Sequence, residues 1–393
     1  MIRVALAVAA IGIFLGSWSL LHHATLERGQ ISDTGLYERY GDAMARGRVP
    51  YRDFRLEYPP GALPVFVLPS IGHEGDRARY DRWFERLMSV CGCIAITGVA
   101  IALAGLGAGL LRTTLALAVV AFSPLLAGPV VLSRYDLWPA ALAVLAVALL
   151  VWDELLLGAV LLAAAIAAKL WPAVMAPIVL AWIWKTRGRR TALGWAATVI
   201  AVDAAIFAPF AVLGPSGLGH SFRAQLARPL QLESLGGAVL IAVHRVYATQ
   251  LHVYTTMSQN LSGSGTHAVE LATTAVQVVA VAGLWTAFAR GYPSRERLVA
   301  YCAASVAAFV AFAKVFSPQF ILWLVPLVPL ARRRLAIAAL VCALVLTVLY
   351  FPRHYWRLAA LQSPQTWELL ARDLLVVAVA VLLAVEPRRQ RAE

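Results

Sequence analysis

The sequence predicts an all-α, polytopic integral membrane protein with about twelve transmembrane helices, several of them short or broken. Three observations predict it. Of 393 residues, 61% are hydrophobic and 14% charged, with a mean hydropathy of +0.73; a soluble domain carries about 25% charged and 45–50% apolar residues. Apolar runs able to enter a bilayer recur along nearly the whole chain. The basic residues, which produce a net charge of +13, gather in alternate connections between those runs. A water-soluble enzyme, a disordered chain and a secreted disulfide scaffold are excluded.

The first run, 2–22, follows a lone Arg3 and has the look of a signal peptide. No small-x-small cleavage site follows and many more spans do, so it reads as an uncleaved first helix. A long polar segment, 23–82, comes next. Further spans are expected at 83–106, 113–131, 136–152, 154–168, 170–184, 191–212, 267–289, 298–313, 317–331, 334–351 and 368–385, while 235–246 is apolar but too short to cross. Pro172, Pro177, Pro318 and Pro326 interrupt several of these runs. Such breaks are tolerated where neighbouring protein or a water-filled cavity satisfies the freed backbone groups.

This count returns both termini to one side. Arg112, the run Lys185 to Arg190, Arg290 to Arg297, Arg332 to Arg334 and the tail Arg388-Arg389-Gln390-Arg391 all fall in connections on that side. By the positive-inside rule it is the cytoplasm. The charge is therefore topological, and nucleic acid is excluded as a partner. Residues 1–393 read as a single membrane domain. Its outer face bears the loop 23–82, a second region at 213–266, and shorter connections near 129–135 and 352–367.

Charge chemistry is concentrated on that outer face. From Glu27 to Glu85 lie ten of the 21 acidic residues, with a similar number of arginines. Leu36, Tyr40 and Ala43 recur at helical spacing within Thr34 to Arg46, predicting a surface helix whose N-cap position is Asp33. Ionisable residues within spans are costly and mark function or a buried partner. Those singled out are Arg134 and Asp136 at an outer helix end, Lys169 and Lys314 at proline breaks, and Asp203 deep in its span. The lysines fit either snorkelling anchors or a shared anionic ligand; Asp203 fits a helix-to-helix hydrogen bond. The four cysteines (Cys91, Cys93, Cys302, Cys342) lie in apolar runs and read as small hydrophobes, and the eight histidines match no metal spacing.

Five short motifs then occur in order: Asp33…Tyr37…Pro50-Tyr51…Glu57-Tyr58-Pro59-Pro60; Arg134-Tyr135-Asp136-Leu-Trp-Pro139; Lys169-Leu-Trp171-Pro172; Arg228-Pro229-Leu-Gln231-Leu-Glu233-Ser234; and Lys314-Val-Phe-Ser317-Pro318-Gln319. Together they resemble glycosyltransferase family 87, the GT-C-type mannosyltransferases of actinobacteria. The resemblance runs from about residue 30 to 330. It implies an inverting transferase that takes its sugar, mannose by preference over arabinofuranose, from a polyprenyl-phosphate donor. The acceptor hydroxyl would belong to a glycolipid or polysaccharide at the outer face of the cytoplasmic membrane. Members keep a catalytic carboxylate soon after the first span, which here is Asp33, with Glu57 in reserve. Arg134, Lys169, Arg228 and Lys314 are then expected to bind the donor phosphate. Tyr37, Glu57, Tyr58, Tyr135, Asp136, Trp171, Gln231, Glu233 and Gln319 are expected to bind substrate. Trp138 joins the aromatics able to stack on sugar, although an interfacial aromatic belt explains them equally.

No cofactor is expected, a divalent metal being the one addition left open. The other expected partners are membrane lipids, and the chain is expected to act as a monomer. The rival reading is a secondary transporter or lipid-linked-sugar flippase. Transporters place charges at the midplane in matching halves, whereas these charges lie toward one face and no internal repeat is visible.

Overall fold

A computed structural model describes residues 1–23 and 31–385. Glu27, where the acid-rich stretch begins, and the basic tail Arg388 to Arg391 lie outside them. The chain opens with α1 (Ile2–His23), α2 (Thr34–Ala45), α3 (Leu63–Val67), α4 (Arg77–Gly105), α5 (Leu110–Ala121), α6 (Ser123–Ala127) and α7 (Val130–Ser133). It continues through α8 (Leu137–Val151), α9 (Leu155–Ala168), α10 (Ala176–Arg187), α11 (Arg189–Leu213), α12 (Pro215–Leu226) and α13 (Leu235–Tyr247). A hairpin of β1 (Leu251–Thr256) and β2 (Ser258–Gly263) precedes α14 (Thr266–Arg290) and α15 (Arg295–Ala311). The last helices are α16 (Arg334–Tyr350), α17 (Tyr355–Ala359) and α18 (Gln365–Ala384).

The protein is a helical membrane protein. Helices α1, α4, α11 and α14 are long and apolar enough to cross a bilayer. Only 6% of the apolar window of α11 and 11% of that of α14 is buried in the protein, so their hydrophobic surface faces outward, as lipid-facing helices require. The short α8, and α15 beyond its charged first turn, are instead largely apolar on every side and buried almost throughout. A helix hydrophobic all round belongs inside a bundle. Helix α8 packs between α4 and α9, and α15 and α16 pack against α18.

Three expected elements take another form. The run 113–131 is three helices, α5 to α7, interrupted at Phe122 and Gly128. The run 317–331 contains no α-helix, only 3-10 turns at Pro318–Trp323 and Val328–Leu330, because its prolines remove the N–H groups an α-helix would need. The region 213–266 is a folded unit containing α12, α13 and the hairpin, the one departure from an all-α fold. The surface helix expected over Thr34 to Arg46 is present as α2.

Two proline breaks position the site. Pro172 has no N–H to bond the carbonyl of Ala168 four residues back, so α9 stops there. That carbonyl instead accepts the Tyr135 hydroxyl at 3.3 Å. Pro318 leaves the Lys314 carbonyl free in the same way, and it accepts the backbone N–H of Gln231 at 2.9 Å. Gln231 lies in a segment tied in turn to β2 through Leu232 N–H to Gln259 O and Leu261 N–H to Leu230 O, both 3.0 Å. The broken helices therefore end on fixed, non-helical walls. Gly61 completes one of them: a Cβ there would collide with the Ala167 and Ala168 backbone, so only glycine lets the Pro59-Pro60-Gly61 turn sit on the end of α9.

The bundle has two unlike ends. The starts of α1, α5 and α15 and the ends of α8, α10, α14 and α18 meet at a basic end. There Arg3 bonds the Ala108 carbonyl, Lys185 that of Gly291 and Arg333 that of Val385. The opposite end holds α2, the proline breaks, the 213–266 unit and α17, and it encloses a cavity.

Candidate active site

The cavity measures about 570 Å³. Of the fourteen residues expected to supply the base, bind the donor phosphate or bind substrate, twelve line it. Asp33, Glu57 and Tyr58 come from the first loop, and Arg134 and Tyr135 from the turn before α8. Lys169 and Trp171 come from the break after α9. Arg228, Gln231 and Glu233 come from the segment between α12 and α13, and Lys314 and Gln319 from the Pro318 break. Tyr37 and Asp136 do not line it; both stand behind the wall. The five motifs, scattered over nearly 300 residues, are one site.

Asp33 occupies the N-cap position of α2, but its backbone is helical there and its side chain caps nothing. The carboxylate turns to Arg134, 2.5 Å away, and accepts a hydrogen bond from the Tyr37 hydroxyl at 3.4 Å. Arg134, 5% exposed, also bonds the Ile31 carbonyl at 3.2 Å. Beneath Asp33 lie closely packed rings: Tyr37 stacks on Phe66 at 4.6 Å and meets Tyr58 and Tyr135 edge-on. Tyr37 is too deeply buried to stack on a sugar; it orients Asp33. Trp138 donates to the Gly61 carbonyl at 3.0 Å and is likewise structural.

Most cations are already matched. Lys169 pairs with Asp136 at 2.6 Å and lies over the rings of Tyr135 and Trp323 at 4.7 and 5.1 Å. The Trp323 indole donates to the same Asp136 oxygen at 2.5 Å. Lys314 pairs with Glu270 of α14 at 2.9 Å. Arg228 differs: among the described residues it has no carboxylate within ion-pair distance. It bonds only the hairpin Ser258 hydroxyl, at 3.0 Å, and its Nε is buried without a partner. Trp171 Nε1 and Gln319 Oε1 are also buried and unpartnered. Buried polar atoms of this kind are rare and costly unless something bonds them.

Two carboxylates are weakened as acids by their surroundings. Burial pushes Glu57 above the usual carboxylate range, Arg228 opposes the shift, and the negative charge of Asp33 adds to it. Burial pushes Glu233 up to about 7 against the pull of Arg372. Glu233 accepts from the hydroxyls of Tyr350 at 3.1 Å and Tyr355 at 3.3 Å, and from Gln231 Nε2 at 3.2 Å. Among the described residues no three His, Cys, Asp or Glu side chains converge as a metal site requires. Asp203, on α11, does not line the cavity.

Sequence reasoning passed over several neighbours. Glu270 and the adjacent Arg372 and Asp373 all lie in apolar runs, and the cost of an embedded charge was signal enough to find them. Ser258, Met257, Gln225 and Gln277 carry no such signal; only the hairpin and the helix packing bring them to the cavity.

Fold and site together define a helical membrane protein with a charge-lined chamber at one end of its bundle. The family profile of glycosyltransferase family 87 matches residues 56–318, two thirds of the chain. The chain belongs to that family, and it is a membrane glycosyltransferase. No curated protein matches the sequence. Glu57, Arg134, Lys169, Arg228 and Lys314 fall inside the matched stretch, Asp33 upstream of it and Arg372 downstream.

Proposed function

We propose that the protein transfers a sugar, mannose in the first instance, from a polyprenyl-phosphate donor to a hydroxyl of a glycolipid or polysaccharide. The reaction takes place at the outer face of the cytoplasmic membrane, with the basic end and both termini in the cytoplasm. The observation that carries this reading is that one cavity is lined both by a carboxylate held in place by Arg134, Asp33, and by a guanidinium with no carboxylate partner among the described residues, Arg228.

The acceptor hydroxyl is a poor nucleophile until a carboxylate takes its proton, and Asp33 is the base. Arg134 and Tyr37 hold it in one orientation, so a bound acceptor meets a carboxylate already aimed. The acceptor oxygen bonds to the anomeric carbon as that carbon's bond to the phosphate oxygen breaks, inverting the configuration. The electron pair leaves with polyprenyl phosphate, which needs no proton but gains negative charge. Arg228 is the principal contact for that phosphate, since its fork suits phosphate oxygens and no carboxylate competes. Lys169 and Lys314 add positive potential in a site of low dielectric, where it is worth more than in water. Gln231, Gln319 and Trp171 offer hydrogen bonds and an apolar face to the sugar.

The test is transfer from labelled polyprenyl-phosphate sugars in membranes containing the wild type or Asp33→Asn. Loss of transfer in the variant supports the assignment. Full transfer would move the base to Glu57, which Glu57→Gln would then check. No transfer from any such donor would overturn the donor class.

A further inference from the structure

Helix α18 carries three charged residues that the chemistry above does not use, Glu368 in its first turn and the pair Arg372 and Asp373. Arg372 and Asp373 are fully buried among the apolar residues that follow that turn and pair with each other at 2.8 Å. A buried ion pair rarely stabilises a fold more than apolar residues of the same volume would, so stability alone is a poor reason for this one. Where Arg372 reaches suggests another. Its NH2 donates to the main-chain carbonyl of Glu233 at 2.8 Å, and its guanidinium lies 3.8 Å from the centre of the Phe316 ring. Those two contacts grip the two irregular walls of the cavity, 231–234 and 314–318. The walls are also bonded to each other, Gln231 Nε2 to Ser317 Oγ at 3.0 Å.

From Phe316 a row of stacked rings runs along the cavity floor. Phe316 stacks on Phe320, Phe320 on Trp323 at 4.2 Å, and Trp323 on Trp171 at 5.1 Å with the planes 8° apart. Trp323 also holds Asp136, which holds Lys169. The contact of Arg372 on Phe316, two aromatic contacts and two hydrogen bonds thus link Arg372 to Lys169.

We propose that Arg372 and Asp373 are positioning residues. Arg372 clamps the Glu233 carbonyl and the Phe316 ring together, Asp373 orients its guanidinium, and the clamp sets the floor of the chamber on which the sugar-phosphate donor lies. The kinetic part rests on the donor reading above; the geometric part does not.

The pair is tested by Arg372→Met with Asp373→Leu, which removes the charges while keeping an apolar filling, and separately by Arg372→Lys. Lysine keeps the charge but cannot both stack on Phe316 and reach the Glu233 carbonyl. In both folded variants kcat/KM for a labelled polyprenyl-phosphate sugar is expected to fall by about 10²-fold, the loss misalignment brings, with the acceptor KM unchanged. The near-UV circular dichroism of the Trp171–Trp323 pair is expected to change as well. If the double variant does not fold, Arg372→Lys carries both readouts. Wild-type kinetics, or wild-type dichroism, in a folded variant would overturn the proposal. If the wild type transfers no sugar from such donors, the donor reading fails and the dichroism alone decides the clamp.

Discussion

The two ends of the bundle use the same ions to different effect. At the basic end Asp153 meets Arg187 at 3.0 Å and Arg295 at 2.5 Å, and Arg112 meets Glu296 at 2.5 Å. Most of these groups are part-exposed at helix termini and each pair ties neighbouring helices together, with Arg112 Nε and Arg333 Nε buried there without a partner among the described residues. At the cavity end Arg134, Asp136 and Glu233 are almost wholly buried. Pairing there leaves atoms over: Arg134 Nε, Asp136 Oδ2, Arg228 Nε, Trp171 Nε1 and Gln319 Oε1 have no partner among the described residues. An ion pair in water is an inexpensive tie. The same pair in a closed chamber is costly, and its unspent hydrogen-bonding capacity is what a polar ligand can use.

The contrast can be broken or sharpened at four positions. The largest effect is expected at Asp33: Asp33→Asn keeps the shape but removes the base, lowering kcat by about 10²–10⁴-fold in the membrane transfer assay. An effect smaller than tenfold would mean that the cavity end tolerates loss of a charge as the basic end does. Next is Arg228→Gln, which deletes the uncommitted guanidinium. A lost charge-assisted hydrogen bond costs about 1.5–3 kcal/mol, so the donor KM should rise by roughly one to two orders of magnitude, with acceptor KM steady.

The third concerns pH. Burial pushes the Glu233 carboxyl up to about 7 in the folded protein, from an ordinary 4.5. The folded state therefore binds the proton more tightly, and this contribution to stability is fully present below 4.5 and lost as pH rises toward 7. The thermal stability of the wild type should fall as pH rises across that interval, and Glu233→Gln, which cannot ionise, should lack that slope. Parallel slopes in the two proteins would show that Glu233 is not held neutral. The smallest effect is expected at the basic end. Asp153→Asn should change stability by no more than about 1 kcal/mol, as part-exposed pairs do, and leave transfer untouched. A loss of activity there would couple the two ends.

The sequence made much of the site legible because an embedded charge is conspicuous among apolar residues. Arg134, Lys169 and Lys314 stand out for that reason, and all three line the cavity. The same logic applied to 368–385 would have marked Arg372 and Asp373. What no pattern reveals is pairing. Lys169 and Lys314 look alike in sequence, each beside a proline break. Yet one is held by Asp136 against three aromatic rings and the other by Glu270, 44 residues away on another helix. Asp33 looks like an N-cap by spacing, and only the position of Arg134, brought alongside by the packing of α4 against α8, draws its carboxylate elsewhere.

By itself the sequence determined that the chain lies in a membrane, where most of its long helices run and which connections are basic. These are local properties, set by the cost of transferring each residue from water to hydrocarbon. It also marked the breaks at Pro172 and Pro318, where a proline deletes an N–H, while α11 continues through Pro209. Tertiary structure decided what fills the gaps: Tyr135 on the Ala168 carbonyl, Gln231 on that of Lys314, and a hairpin in place of a loop. It alone decided which charges are neutralised and which, like Arg228, remain available. Charge pairing depends on distances of a few ångströms between residues far apart in the chain, and those exist only once the helices have packed.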